Sequence, residues 1–104
     1  MRVVFMGTPD FAVPSLEKLV EAGHEVALVI TRPDAVRGRG KKLVPSPVKA
    51  KALELELPVL EANRMDPEVV GALEAARADI FCVAAYGCIL PDAVLTMAPL
   101  GIVN

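Results

Sequence analysis

The chain has 104 residues, 54% hydrophobic and 23% charged, with a formal net charge of −2. That is enough for one small domain with its own core, and too apolar for a disordered chain. The longest uncharged apolar stretch, residues 80–91, is well short of the ~20 residues that cross a bilayer. One histidine and two cysteines supply neither a disulfide framework nor a zinc site of several ligands.

In chain order, Val3 to Met6 is a continuous apolar run closed by Gly7, as expected of a strand buried on both faces. Thr8-Pro9-Asp10 follows with an N-cap residue, a proline for the first helical position and an acid for the first turn, so a helix is expected to start there, capped by Thr8. Ala12, Leu16, Leu19 and Val20 form its apolar stripe, and Gly23 ends it. His24, beside that glycine, reads as a surface residue. Val26 to Ile30 repeats the buried-strand pattern with β-branched residues.

Residues 31–45 carry Pro33, Gly38, Gly40 and Pro45 and no periodicity, a loop unusually long for a compact domain. Ser46-Pro47 then caps a second helix with Val48, Ala52 and Leu55 inward. Leu57 to Leu60 is a short strand candidate, although Pro58 would not suit a central strand. Asp66-Pro67-Glu68 opens a third helix with Val69, Val70, Leu73 and Ala76 inward. Ile80 to Ala85 predicts another buried strand, Pro91 to Met97 a short helix, and Gly101 to Asn104 a last strand. This alternation predicts an α/β fold, a doubly wound and mostly parallel sheet with helices on both faces.

The small net charge hides a segregation. Residues 32–51 hold seven basic side chains (Arg32, Arg37, Arg39, Lys41, Lys42, Lys49, Lys51) against Asp34, a net of +6, while the other 84 residues carry −8. For Arg37-Gly-Arg-Gly-Lys-Lys42 within this basic segment, a flexible solvated charge run is one reading. The other is a clamp on nucleic-acid phosphates, with glycines that let the backbone follow a polyanion. No aromatic residue is interleaved, so base stacking by this segment is not expected.

In open α/β sheets ligands bind at the carboxyl ends of the strands. Those ends should gather Gly7 to Asp10, the basic stretch, Tyr86 to Pro91, and Asn104. Gly7 alone is not a dinucleotide fingerprint, because Pro9 and Ala12 stand where G-x-G-x-x-G needs its further glycines. The Tyr86 to Pro91 segment reads from its residues as an ordinary packed connection, and Cys82 and Cys88 as inert core thiols.

Three stretches carry a resemblance: Phe5-Met-Gly-Thr-Pro-Asp-Phe-Ala12, Gly38-Arg-Gly-Lys-Lys-Leu-Val-Pro-Ser-Pro-Val-Lys49, and Ala85-Tyr-Gly-Cys-Ile-Leu-Pro91 with Leu100-Gly-Ile-Val-Asn104. Together they resemble the amino-terminal part of the methionyl-tRNA formyltransferases. The first and last are shared with other formyl-tetrahydrofolate transferases, whereas the basic stretch is specific to the enzymes of initiator tRNA. The resemblance implies a Rossmann-like formyltransferase fold, here truncated, with residues 1–104 as the amino-terminal part of the catalytic domain. It also implies 10-formyltetrahydrofolate as formyl donor, no metal, and initiator methionyl-tRNA as acceptor.

By the same resemblance Arg37, Arg39, Lys41 and Lys42 are expected to contact tRNA, and Tyr86, Ile89 and Leu90 to wall the folate pocket. Asn104 matches the first residue of the family's Asn-x-His catalytic pattern, with its amide placed to stabilise an oxyanion. The histidine, its orienting aspartate, the rest of the catalytic domain and a carboxy-terminal tRNA-binding domain are expected beyond residue 104. The 104-residue chain by itself is therefore expected to be inactive. A cytoplasmic location without membrane contact fits this reading. Two alternatives stay open: a formyltransferase for a small amine, and a self-contained RNA- or nucleotide-binding module.

Overall fold

The computed structural model describes residues 1–33, 35–37 and 42–104, and of residues 35–37, 42 and 43 the backbone only. Among the described residues there are seven strands: β1 (Arg2–Gly7), β2 (Glu25–Thr31), β3 (Ala35–Arg37), β4 (Lys42–Val44), β5 (Val59–Glu61), β6 (Ile80–Ala84) and β7 (Ile102–Val103). Four helices connect them: α1 (Val13–Glu21), α2 (Pro47–Glu54), α3 (Pro67–Ala76) and α4 (Asp92–Leu95). Five strands form one parallel sheet in the order β5-β2-β1-β6-β7. The strand order reverses between β1 and β6, which are paired from Val3↔Ile80 to Gly7↔Ala84. The doubly wound expectation holds.

The pleat explains how one apolar run serves two layers. Phe5, Val26 and Val29 face α1 and α2, where Leu16, Val48 and Ala52 are buried. Val4, Met6, Ile30 and Phe81 face the opposite way, onto Val69, Leu73 and Ala76 of α3 and Val94 of α4. Successive residues of β1 thus enter different cores, which is why its sequence shows no polar alternation.

Local signals set the helix starts. Ser46 Oγ accepts the Lys49 N–H at 3.0 Å and Asp66 Oδ1 accepts the Val69 N–H at 3.0 Å, each with proline in the first turn. Such caps are worth about 1 kcal/mol apiece. The expected Thr8 cap is overturned. A single 3-10 turn, Asp10–Ala12, precedes α1, and neither start has a side-chain cap. The Thr8 hydroxyl is engaged elsewhere, with the backbone of two other loops.

Pro58 proves compatible with a strand because β5 lies at the sheet edge and begins one residue later. Its carbonyl accepts the Val29 N–H at 2.8 Å. The long basic stretch contains regular structure the sequence did not announce: β3 and β4 pair antiparallel, with Arg37 opposite Lys42. At the neck of this ribbon the hydroxyls of Thr31 and Ser46, both fully buried, are 2.7 Å apart.

Gly7 is fixed by space. A Cβ on it would stand 2.8 Å from the Ala84 carbonyl oxygen and 2.9 Å from Phe5 Cε2. Gly7→Ala should therefore destabilise the protein by about 2–3 kcal/mol through overpacking, read as a lowered urea midpoint at constant slope. A midpoint equal to that of the unsubstituted protein would refute the close approach.

Candidate functional site at the carboxyl edge of the sheet

The ends of β1, β2, β6 and β7 all lie on one edge, as parallel strands require. Thr8 ties three of the loops there. Its hydroxyl donates to the Tyr86 carbonyl at 3.2 Å and accepts the Arg32 N–H at 3.3 Å, while its own carbonyl accepts the Val48 N–H at 3.4 Å. The sequence placed Thr8 and Arg32 at this edge, as parts of Gly7 to Asp10 and of the basic stretch, but assigned neither an individual role there. The signal available was the position of each directly after a parallel strand, Thr8 after β1 at the reversal and Arg32 after the neighbouring β2.

The residues expected to form a folate wall do not share one surface. Tyr86 is 1% exposed and packs in the core beneath α3 and α4. Its hydroxyl donates to the Ala62 carbonyl at 2.6 Å, joining the loop after β6 to the loop after β5. Leu90 is half-buried against the same core, and Ile89, at 91% exposed, faces solvent. The turn that produces this arrangement is unusual. Ala85 and Gly87 both have positive φ, 55° and 88°, and the left-handed conformation of Ala85 costs about 1 kcal/mol. Burying the tyrosine ring and satisfying its hydroxyl offset that strain.

Burial pushes the Tyr86 hydroxyl well above its ordinary pKa, and the neighbouring Cys88 adds to the shift, while the positive charge of Arg32 works against it. The Cys88 thiol donates to the Asn63 carbonyl at 2.8 Å. Burial also raises the Cys82 thiol, as expected of an unreactive core group.

Asn104, exposed at the end of β7, lines a cavity of about 160 Å³ with Phe5, Ser15, Leu19, Cys82 and Val103. This groove lies beside α1, and Val103 on its rim is half exposed. His24 stands at the opposite edge of the sheet, with Nδ1 3.2 Å from the amino-terminal nitrogen. It takes no part in the site.

The basic segment is divided by its own fold. Lys49 pairs with Glu61 at 2.6 Å, and Lys51 with Glu54 at 3.0 Å and Glu17 at 3.6 Å. These two lysines hold α2 against its neighbours. Arg37 and Lys42 are cross-strand partners at the tip side of the β3–β4 ribbon, and the expected contacts of Arg39 and Lys41 lie outside the described residues. Among the described residues no group of three His, Cys, Asp or Glu side chains could hold a metal ion, and no helix is long and apolar enough to cross a membrane.

Comparison with known proteins gives three findings. A family model described as formyl transferase matches residues 1–104. Methionyl-tRNA formyltransferases from Heliobacterium modesticaldum and Moorella thermoacetica are 57% and 53% identical, over 95% and 100% of this chain but only 31% and 34% of theirs. The chain thus spans about a third of the length of these curated relatives. Among solved structures, phosphoribosylglycinamide formyltransferase from Bacillus halodurans superposes with a TM-score of 0.69 at 22% identity, covering 98% of this chain and 54% of that one. Glycinamide ribonucleotide transformylase 1 from Symbiobacterium toebii gives 0.67 at 18%, covering 98% and 49%. At such identities the shared feature is the fold.

Tyr86 is the sole tyrosine and there is no tryptophan, so its ionisation is directly visible. Because its folded pKa lies above the ordinary value of about 10, the stability it contributes is present below pH 10 and declines as the pH rises beyond it. The tyrosinate absorbance should therefore appear only with unfolding. Tyr86→Phe should lose about 1–2 kcal/mol by stranding the Ala62 carbonyl and remove this part of the alkaline decline. A tyrosinate signal near pH 10 in the folded protein would contradict the buried hydroxyl.

Proposed function

Because the chain belongs to the formyl transferase family, we propose that residues 1–104 form the amino-terminal part of the catalytic domain of a methionyl-tRNA formyltransferase. The reaction moves a formyl group from 10-formyltetrahydrofolate to the α-amino group of methionine esterified to initiator tRNA, in the cytoplasm. The observation that carries this reading is geometric. The ribbon bearing Arg37 and Lys42 leaves the sheet, through the Thr31–Ser46 neck, at the same edge where β7 delivers Asn104. The 50–57% identity to methionyl-tRNA formyltransferases along the whole chain supports it.

In this reading the ribbon grips phosphates by charge and shape, with Arg37, Arg39, Lys41 and Lys42 as the contacts. The amine attacks the formyl carbon, the carbonyl oxygen gains negative charge as the carbon becomes tetrahedral, and collapse breaks the bond to the folate N10, which leaves with a proton as tetrahydrofolate. The Asn104 amide donates a hydrogen bond to that oxygen, stabilisation of about 3–4 kcal/mol for a well-placed donor. The attacking amine must also lose a proton. His24, at the far edge, is not placed to take it.

The cavity beside Asn104, at about 160 Å³, is smaller than the ~300–1,000 Å³ of usual small-molecule sites. Its apolar wall and the exposed Ile89 suit the flat ring of a folate, with Leu90 and Tyr86 supporting the loop from behind. The remainder of the catalytic domain then covers the exposed flank of β6 and β7. A formyltransferase for a small amine is the alternative.

Three outcomes are expected. In the full-length enzyme that contains this chain, Asn104→Ala should lower kcat by about 10²–10³-fold with KM little changed. The double change of Arg39 and Lys42 to alanine should weaken tRNA binding and flatten its salt dependence by about two units of slope, leaving folate affinity intact. The isolated 104-residue chain should transfer no formyl group. Formylation of a small amine but not of methionyl-tRNA by the full-length enzyme would select the alternative.

A further inference from the structure

The basic segment contains one described cation that helix packing does not use. Arg32 is the first residue after β2, and it is exposed. Lys49 and Lys51, the other described side chains of this segment, are engaged by carboxylates. No hydrogen bond or ion pair engages the Arg32 guanidinium among the described residues.

Its position is nevertheless constrained. The Arg32 N–H is held by Thr8 Oγ1, and its side chain lies along the backbone of Gly87. A Cβ on Gly87 would be 3.4 Å from Nη1 and 3.5 Å from Cδ. The arginine therefore rests on the loop after β6, beside the reversal of strand order, with its backbone anchored to the loop after β1. An unpaired guanidinium at a ligand-binding edge is a donor set without an acceptor.

We propose that Arg32 binds a phosphodiester of the nucleic-acid partner, in the interval between the β3–β4 ribbon and Asn104. The inference rests on the reading given under Proposed function and extends it to a residue which that reading does not use. In the sheet β1 and β6 separate β2 from β7, so the ends that carry Arg32 and Asn104 are about 14 Å apart at ~4.8 Å per strand. A polyanion gripped by the ribbon and reacting at Asn104 crosses that interval, over the loops tied by Thr8. The guanidinium fork matches phosphate oxygens in two-point geometry. Arg32 also continues the basic segment on the ribbon side of the site, three strands from the groove beside Asn104, which favours phosphate over a carboxylate of the formyl donor.

The test uses Arg32→Ala and Arg32→Lys in the full-length enzyme that contains this chain. Arg32→Ala should raise KM for methionyl-tRNA about tenfold, the loss of one charged hydrogen-bond pair. It should reduce the slope of log(kcat/KM) against log salt by about one. KM for 10-formyltetrahydrofolate and the melting temperature should not change. Arg32→Lys should keep the salt slope but recover only part of the KM, since an ammonium lacks the fork. Unchanged tRNA parameters in Arg32→Ala would overturn the inference, and so would a rise confined to the folate KM, which would assign the arginine to a donor carboxylate. An unsubstituted enzyme that does not formylate methionyl-tRNA would overturn the underlying reading as well, a result distinct from either of these.

Discussion

At Gly7, where β1 ends beside β6, the backbone of β6 comes so close that no side chain fits. The Ala84 carbonyl, the Phe5 ring and the Ala12 methyl occupy the space a Cβ would need, at 2.8, 2.9 and 3.2 Å. That contact keeps β1 and β6 in register to their last residues, at the place where the sheet reverses its order. The loops after the two strands then emerge side by side. Thr8, one residue on, can reach the Tyr86 carbonyl and the Arg32 amide with a single hydroxyl. The site edge is therefore assembled by backbone proximity first and by side chains second.

The loop after β6 shows how rigidity is obtained in a segment at the carboxyl edge of the sheet. Ala85 accepts a left-handed conformation, which turns Tyr86 into the core instead of toward the edge. Its hydroxyl then fastens the β6 loop to the β5 loop through the Ala62 carbonyl, and Cys88 adds a second tie to Asn63. With those contacts made, Ile89 is left projecting on a fixed base. Strained backbone at such a loop is common where geometry has to be held for a ligand.

Charge is distributed by the same logic. A run of basic residues repels itself, and α2 relieves part of that by pairing Lys49 and Lys51 with acids on β5, α1 and α2 itself. Among the described residues Arg32, outside the helix, has no such partner. The neck hydrogen bond between Thr31 and Ser46 fixes where the ribbon leaves the body, and Ser46 also caps α2. One serine thus couples the helix start to the placement of the segment proposed to hold RNA.

The amino-acid sequence by itself determined the alternation of elements, the Ser46 and Asp66 caps, and the parallel class of the sheet. Those follow from apolar runs, proline positions and short polar side chains that act within a few residues of themselves. It also located the basic segment, because charge density along a chain needs no fold to be seen. Only the tertiary structure decided that Thr8 is a cross-link and not a cap, that the Tyr86 hydroxyl fastens the loop after β5, that Lys49 and Lys51 are paired with carboxylates, and that Arg32, among the described residues, is not. Each of these depends on which distant atoms arrive within 3–4 Å, and that is set by strand order and by the turn at Ala85. Local composition carries no information on either.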